Sequence, residues 1–136
     1  MESRIRKALE RHRSGYNCCQ AVACTYCDLV GVSEDQMFRM AEGFGAGMGG
    51  MKETCGALSG AVLLAGMKNS GGMRQRTKAE TYQLSRQLVD GFLQKDGSAV
   101  CKDLKGADSG IPLRSCDGCI EDACTLVEQI LFSEQK

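Results

Sequence analysis

Residues 43–68 read GFGAGMGGMKETCGALSGAVLLAGMK. Six glycines from Gly43 to Gly56 make the first part a loop, and ALSGAVLLAGMK after it a buried helix that ends near Asn69-Ser70-Gly71-Gly72. The apolar run AVLLAGM at residues 61–67 is too short to span a bilayer. A glycine-rich loop running into an apolar helix, with Cys55 at the junction, predicts a helical protein. Before it, Met37, Met40, Ala41 and Phe44 fall at helical spacing, and Ser33 followed by Gln36 reads as a capping box. Further back, Cys19, Val22, Ala23, Tyr26 and Val30 form the apolar face of a helix over 17–30. Gly15 separates it from a first helix over 2–13 with Ile5, Ala8, Leu9 and His12 on one stripe.

On the other side, a long helix over 74–95 carries Leu84, Leu88, Val89, Phe92 and Leu93 inward. A loop from Gly97 to Ser115 holds Cys101 and Pro112. A last helix starts near Cys116 and buries Ile120, Ala123, Val127, Ile130 and Leu131. No segment alternates with period two, and no repeat or linker divides the chain. The expected fold is all-α: a single domain over 1–136, an irregular bundle of about five to six helices.

Seventeen Lys and Arg balance seventeen Asp and Glu, which removes the electrostatic reason to expect nucleic acid or an anionic membrane as partner. The start, ESRIRKALERHR, is charged and amphipathic and lacks the pattern of an export signal. The expectation is a soluble, cytoplasmic protein. Nine Cys and seven Met against four Phe, three Tyr and no Trp imply a soft, polarisable core. In a reducing compartment so many thiols, odd in number, point to metal or redox chemistry rather than structural bridges.

Cys55 stands where the glycine-rich loop meets a helix, with Thr54 as the N-cap candidate. Amides and dipole at a helix start lower a thiol pKa and favour the thiolate, which is both nucleophile and metal ligand. Gly56 and Gly60 share a face and admit either a cofactor or a neighbouring backbone. Two CxxC pairs, Cys24/Cys27 and Cys116/Cys119, invite a four-cysteine zinc site. Their separation fits no standard finger, and the first pair lies within a helix with Cys24 off the apolar stripe. Cys19, Cys27 and Cys124 read as small buried hydrophobes. The glycines lack the GK[ST] ending of a phosphate loop, so nucleotide binding is disfavoured. His12 reads as a packed histidine, and Arg74, Arg76 and Lys78 as a solvated face.

Tyr16-Asn17-Cys18-Cys19-Gln20-Ala21-Val22, Gly43-Phe44-Gly45-Ala46-Gly47 and Cys55-Gly56-Ala57-Leu58-Ser59-Gly60 together resemble the C_GCAxxG_C_C family. These are redox-active proteins with four characteristic cysteines and a CGAxxG motif. Cys101-Lys102-Asp103-Leu104 is similar to the third cysteine motif, and Cys116 ahead of Ile120-Glu121-Asp122-Ala123 to the fourth, with Cys119 one turn away as its substitute. The resemblance implies a site of Cys18, Cys55, Cys101 and Cys116 or Cys119; within it, the helix-start position makes Cys55 the reactive thiol with Cys18 beside it, and the spacing of Gly56 and Gly60 makes them the candidate cofactor neighbours.

Three functions follow from that set. The first is electron transfer through a cysteine-ligated iron–sulfur cluster. The second is thiol–disulfide exchange without a cofactor, with Cys55 as the activated thiolate and Cys18, Cys101 or Cys116 resolving. The third is non-enzymatic: a four-cysteine zinc or copper site, or a small interaction module. A redox partner protein is implied, and a homodimer is compatible with all three.

Overall fold

Asn17 and Gln20 start the helix around which the rest is arranged. The Asn17 side chain accepts from the Gln20 amide and the Gln20 side chain accepts from the Asn17 amide, each at 2.9 Å, so the capping box is reciprocal. In the computed structural model, which describes residues 1–133, this helix is α2 (Cys18–Thr25), preceded by α1 (Ile5–Arg13). Then come α3 (Glu34–Ala41), α4 (Gly56–Asn69), α5 (Lys78–Asp96), α6 (Cys101–Lys105) and α7 (Cys116–Leu126). The fold is all-α as the periodicities predict, and among the described residues the only β pairing is the isolated bridge between Thr54 and Val100.

Every residue of α2 after Cys18 is buried, because α1, α3, α4 and α7 all pack on it. The closest approach is to α4. A Cβ on Gly60 would lie 2.8 Å from the Cys19 carbonyl oxygen, so only glycine lets the two backbones meet there. α5 lies across α4 and α7 and contributes Leu88 and Phe92 to the core. Small residues dominate the α2–α4 seam, while Tyr26, Phe92 and Phe132 give the core aromatic weight that its composition understates. Tyr26 and Phe132 stack with centroids 5.9 Å apart.

Several elements differ from the sequence reading. α2 ends at Thr25 instead of continuing to residue 30. Arg4 and Arg11 seize Thr25 at its carbonyl (3.0 Å) and hydroxyl (3.3 Å), and the chain tightens into a 3₁₀ turn, Cys27–Val30, closed by Gly31 at φ 74°. Ser33 does cap the Gln36 amide (3.1 Å), but the reciprocal box belongs to Asn17 and Gln20. Met40 is exposed, and Phe44 falls in a separate 3₁₀ turn. α5 begins at Lys78, after a turn held by the Thr77 hydroxyl and the Gly71 amide (3.1 Å), and Leu93 is 41% exposed. Cys101 opens a helix where a loop was expected. No helix among the described residues is long and apolar enough to cross a membrane.

Candidate functional site

The family-type cysteines all occupy helix beginnings. Cys18, Cys101 and Cys116 are the first residues of α2, α6 and α7, and Cys55 is the residue that precedes α4. These starts meet at one pocket, lined by all four and by Cys119, one turn into α7. Cys116 and Cys119, the two alternatives for the fourth position, both line this pocket.

Long-range backbone pairing holds the arrangement. The Cys55 amide donates to the Ala99 carbonyl (2.7 Å) and the Cys101 amide to the Glu53 carbonyl (2.9 Å), on either side of the Thr54–Val100 bridge. Thr54 is thus engaged in that bridge and does not cap α4, whose cap residue is Cys55 itself. The glycine-rich loop forms the wall over Cys101. Gly47 sits at φ 56°, and a Cβ there would be 2.5 Å from Cys101 Cβ, so glycine is needed for both conformation and space. Ala46, Met48 and Met51 in the same loop also have positive φ, a costly conformation for residues with side chains.

The sulfurs pair. Cys116 and Cys55 are lowered, while Cys18 and Cys119 are raised, and the first-named cause in each case is the neighbouring cysteine: Cys18 with Cys116, Cys55 with Cys119. Cys116 is lowered to about 5, first by the Cys18 thiol, then by the Lys105 and His12 charges, against its desolvation. Cys55 is lowered to about 7, first by the Cys119 thiol and then by the Ala57 and Leu58 amides at the start of α4, again against desolvation. Cys18 and Cys119 move upward because each donates to its partner and is desolvated. Burial raises Cys101. Cys18 and Cys116 are half-buried, while Cys55 and Cys119 are 5% and 2% exposed, so one pair is outer and one inner.

Three groups beside these sulfurs carry charge that sequence reasoning did not assign. Lys105 and Arg114 line the pocket, and Asp96 lies buried behind it. Lys105 follows Cys101 by four residues, so reading 101–105 as a helix would have put both on one face. Arg114 had no signal in the sequence. It bonds Asp122 through Nε (3.0 Å) and lies 3.5 Å from Asp96. His12 is half-buried against Asp117 at 3.1 Å and does not line the pocket.

The remaining cysteines are elsewhere. Burial pushes Cys19, Cys24 and Cys124 up to about 12 and raises Cys27. Cys24, read as lying off the apolar face, is buried with its thiol toward the Glu34 carbonyl (3.8 Å). Gly56 lines the pocket against Cys18, whereas Gly60 lies outside the lining and admits α2. Soft thiols in this number suit an iron–sulfur or zinc centre in chemistry. Among the described residues, no three His, Cys, Asp or Glu side chains are grouped to hold a single metal ion.

A family model described as "Putative redox-active protein (C_GCAxxG_C_C)" matches residues 16–130, nearly the whole chain and every pocket cysteine. No curated protein and no solved structure matches the chain.

Proposed function

The chain belongs to the C_GCAxxG_C_C family of redox-active proteins, and we propose that it works by thiol–disulfide exchange, with Cys116 as attacking thiolate and Cys18 as resolving thiol. One observation carries this reading: Cys116 and Cys18, both half-buried and each opening a helix, line the same pocket, where Cys18 and then Lys105 lower Cys116 to about 5. A thiolate is the form that attacks disulfides, and a resolving thiol must be within reach. Cys55, the other lowered thiol, is too enclosed to meet a protein disulfide first.

The exchange runs in two steps. Cys116 Sγ attacks one sulfur of the partner's disulfide, the partner's S–S bond breaks, and its other sulfur leaves as thiolate. Cys18 then loses its proton to solvent and attacks Cys116 Sγ, forming the Cys18–Cys116 disulfide and expelling the second partner thiolate. Two electrons pass from the pair to the partner. Lys105 steadies the negative charge on Cys116 before attack. Ile111 and Leu113, 72% and 53% exposed just before pocket-lining Arg114, offer an apolar edge for a disulfide-bearing partner protein.

The competing reading is electron transfer through a cysteine-ligated iron–sulfur centre, or a zinc or copper site, and it draws on donor softness and on the five cysteines that line one pocket. Anaerobically purified protein would be equilibrated with reduced and oxidised glutathione across a range of ratios, trapped, and mapped for disulfides by mass spectrometry. Iron, zinc, copper and sulfide would be assayed on the same sample. A Cys18–Cys116 disulfide that forms reversibly in metal-free protein is the expected result. Stoichiometric iron and sulfide, with no disulfide at any ratio, would overturn it.

A further inference from the structure

Gly118 stands inside the turn Cys116-Asp117-Gly118-Cys119, and Arg114 is what requires a glycine there. A Cβ on Gly118 would run into Arg114 Nε and lie 2.6 Å from its Cζ, so the guanidinium rests on the bare backbone of that turn. From there it forks onto Asp122, one turn further along α7, through Nε at 3.0 Å and Nη2 at 3.3 Å. Glu121 lies 3.8 Å from the same Nη2, and Asp96, at the end of α5, 3.5 Å from Nε. The Asp96 side chain has no solvent exposure and no hydrogen-bond partner, and among the described residues its one ion-pair partner is Arg114. The root of the arginine is held as well, since the Leu113 and Arg114 amides both donate to the Leu104 carbonyl, at 2.9 and 3.2 Å. The first turn of α7 is thus braced from outside, in addition to the Ser115 cap on the Gly118 amide (3.0 Å).

That bracing bears on which sulfur closes on Cys116. Cys119, three residues on, and Cys18, on α2, line the same pocket as Cys116. On a regular helix, Cβ atoms three residues apart stand about 5–6 Å from each other, whereas a disulfide draws them to about 3.5–4.5 Å. A Cys116–Cys119 disulfide therefore distorts the turn on which Arg114 lies. A Cys18–Cys116 disulfide joins two helices and makes no such demand on that turn.

We propose that Arg114 is a positioning residue that selects Cys18 over Cys119 as the thiol resolving Cys116. This role rests on the thiol–disulfide reading above and adds the origin of its pairing specificity. Once Cys116 is joined to the partner's sulfur, either thiol can attack Cys116 Sγ. On both routes one S–S bond forms and the bond to the partner breaks. The attacking thiol gives its proton to solvent, and the partner's sulfur leaves as thiolate. Two electrons reach the partner either way, so the shape of the turn is what distinguishes the routes.

The test counts the two disulfides. One equivalent of oxidised glutathione is added to fully reduced full-length protein at pH 7.5, samples are acid-quenched, and pairings are assigned by peptide mass spectrometry, with circular dichroism checking that each variant is folded. The wild type is expected to form Cys18–Cys116. Arg114→Met loses the bridges and should move the ratio about tenfold toward Cys116–Cys119, and Arg114→Lys should recover part of it. Gly118→Ala gives the deciding sign. A Cβ there pushes the guanidinium off the turn, which should again favour Cys116–Cys119 about tenfold. A merely structural effect runs the other way, because alanine stiffens a helix relative to glycine and would lower the Cys116–Cys119 share about fivefold. A Gly118→Ala ratio equal to wild type, or moved toward Cys18–Cys116, overturns the role of Arg114 and leaves the exchange standing, as does an unchanged ratio in folded Arg114→Met. A wild type that forms chiefly Cys116–Cys119 overturns both the selection and Cys18 as resolving thiol. One that forms no disulfide at Cys116 overturns the exchange reading itself.

Discussion

α7 carries two cysteines with opposite chemistry. Cys116, its first residue, is lowered to about 5, and Cys124, two turns along, is pushed up to about 12. The side chain is the same and the helix is the same. At the first position the sulfur meets the Cys18 thiol, Lys105 and His12, while at the second burial strips its water, with Tyr26 opposing the rise and Glu128 adding to it. The contrast extends across the molecule, with five cysteines lining one pocket and Cys19, Cys24 and Cys124 buried outside it. The groups that each sulfur meets, more than cysteine content, decide which thiols are reagents and which are packing.

The largest expected effect is in labelling. At pH 6 Cys116 is mostly thiolate, whereas Cys124 at about 12 ionises only to roughly one part in a million. Lower basicity costs Cys116 about three orders of magnitude in nucleophilicity, which leaves it roughly a thousandfold faster even before the core excludes the reagent. Isotope-coded iodoacetamide and mass spectrometry would measure both rates in one sample. Rates within tenfold of each other would end the distinction between the two regions.

The core side of the comparison rests on close backbone contact. Gly60→Ala would place a Cβ against the Cys19 carbonyl at 2.8 Å and is expected to lower stability by about 1–3 kcal/mol. Gly66→Ala on the same helix meets nothing within 4 Å and is expected to raise stability by about 0.5–1 kcal/mol. Guanidinium unfolding of the two variants checks the pair. Equal changes in both would mean that the α2–α4 approach is not what fixes the core.

This division also explains what could be read from the chain alone. Apolar spacing was enough for α1, α3, α4 and α7, since Ala8, Met37, Leu64 and Ile120 repeat with neighbours on buried faces. It failed for α6, because five residues hold little more than one turn and show no period. Asn17 and Gln20 carried the same spaced signal that was assigned to Ser33 and Gln36, so the start of α2 at Cys18 was readable from the capping rule. Thr54 was not readable as anything but a cap, because the strand-like bridge that claims it comes from Val100, far along the chain. The family motifs made the cysteine set legible. Its sorting into outer and inner pairs was not, since that depends on burial and on which sulfurs meet across α2, α4 and α7.

How much of the gap between Cys116 and Cys124 comes from charge, and how much from sulfur pairing, is answered by Lys105. Its ammonium is desolvated but held protonated by Cys116, Cys101 and Cys18, so its influence falls on that cluster. For Cys116 the Cys18 thiol is the larger cause and Lys105 the smaller. Lys105→Met keeps the apolar stem and removes the charge, and is expected to move the Cys116 labelling curve upward by about one pKa unit. The sign follows from Coulomb's law: without the cation the thiolate is less favoured, so ionisation waits for higher pH. Labelling at pH 5 should slow severalfold and recover by pH 8, while Cys124 stays as it was. Lys102→Met is the control, because Lys102 pairs with exposed Asp108 at 3.2 Å and does not line the pocket. An unshifted curve in Lys105→Met would leave sulfur pairing as the whole basis of the difference between the two ends of α7. A shift of several units would reverse the order of causes and make the lysine, not the neighbouring thiol, the group that arms Cys116.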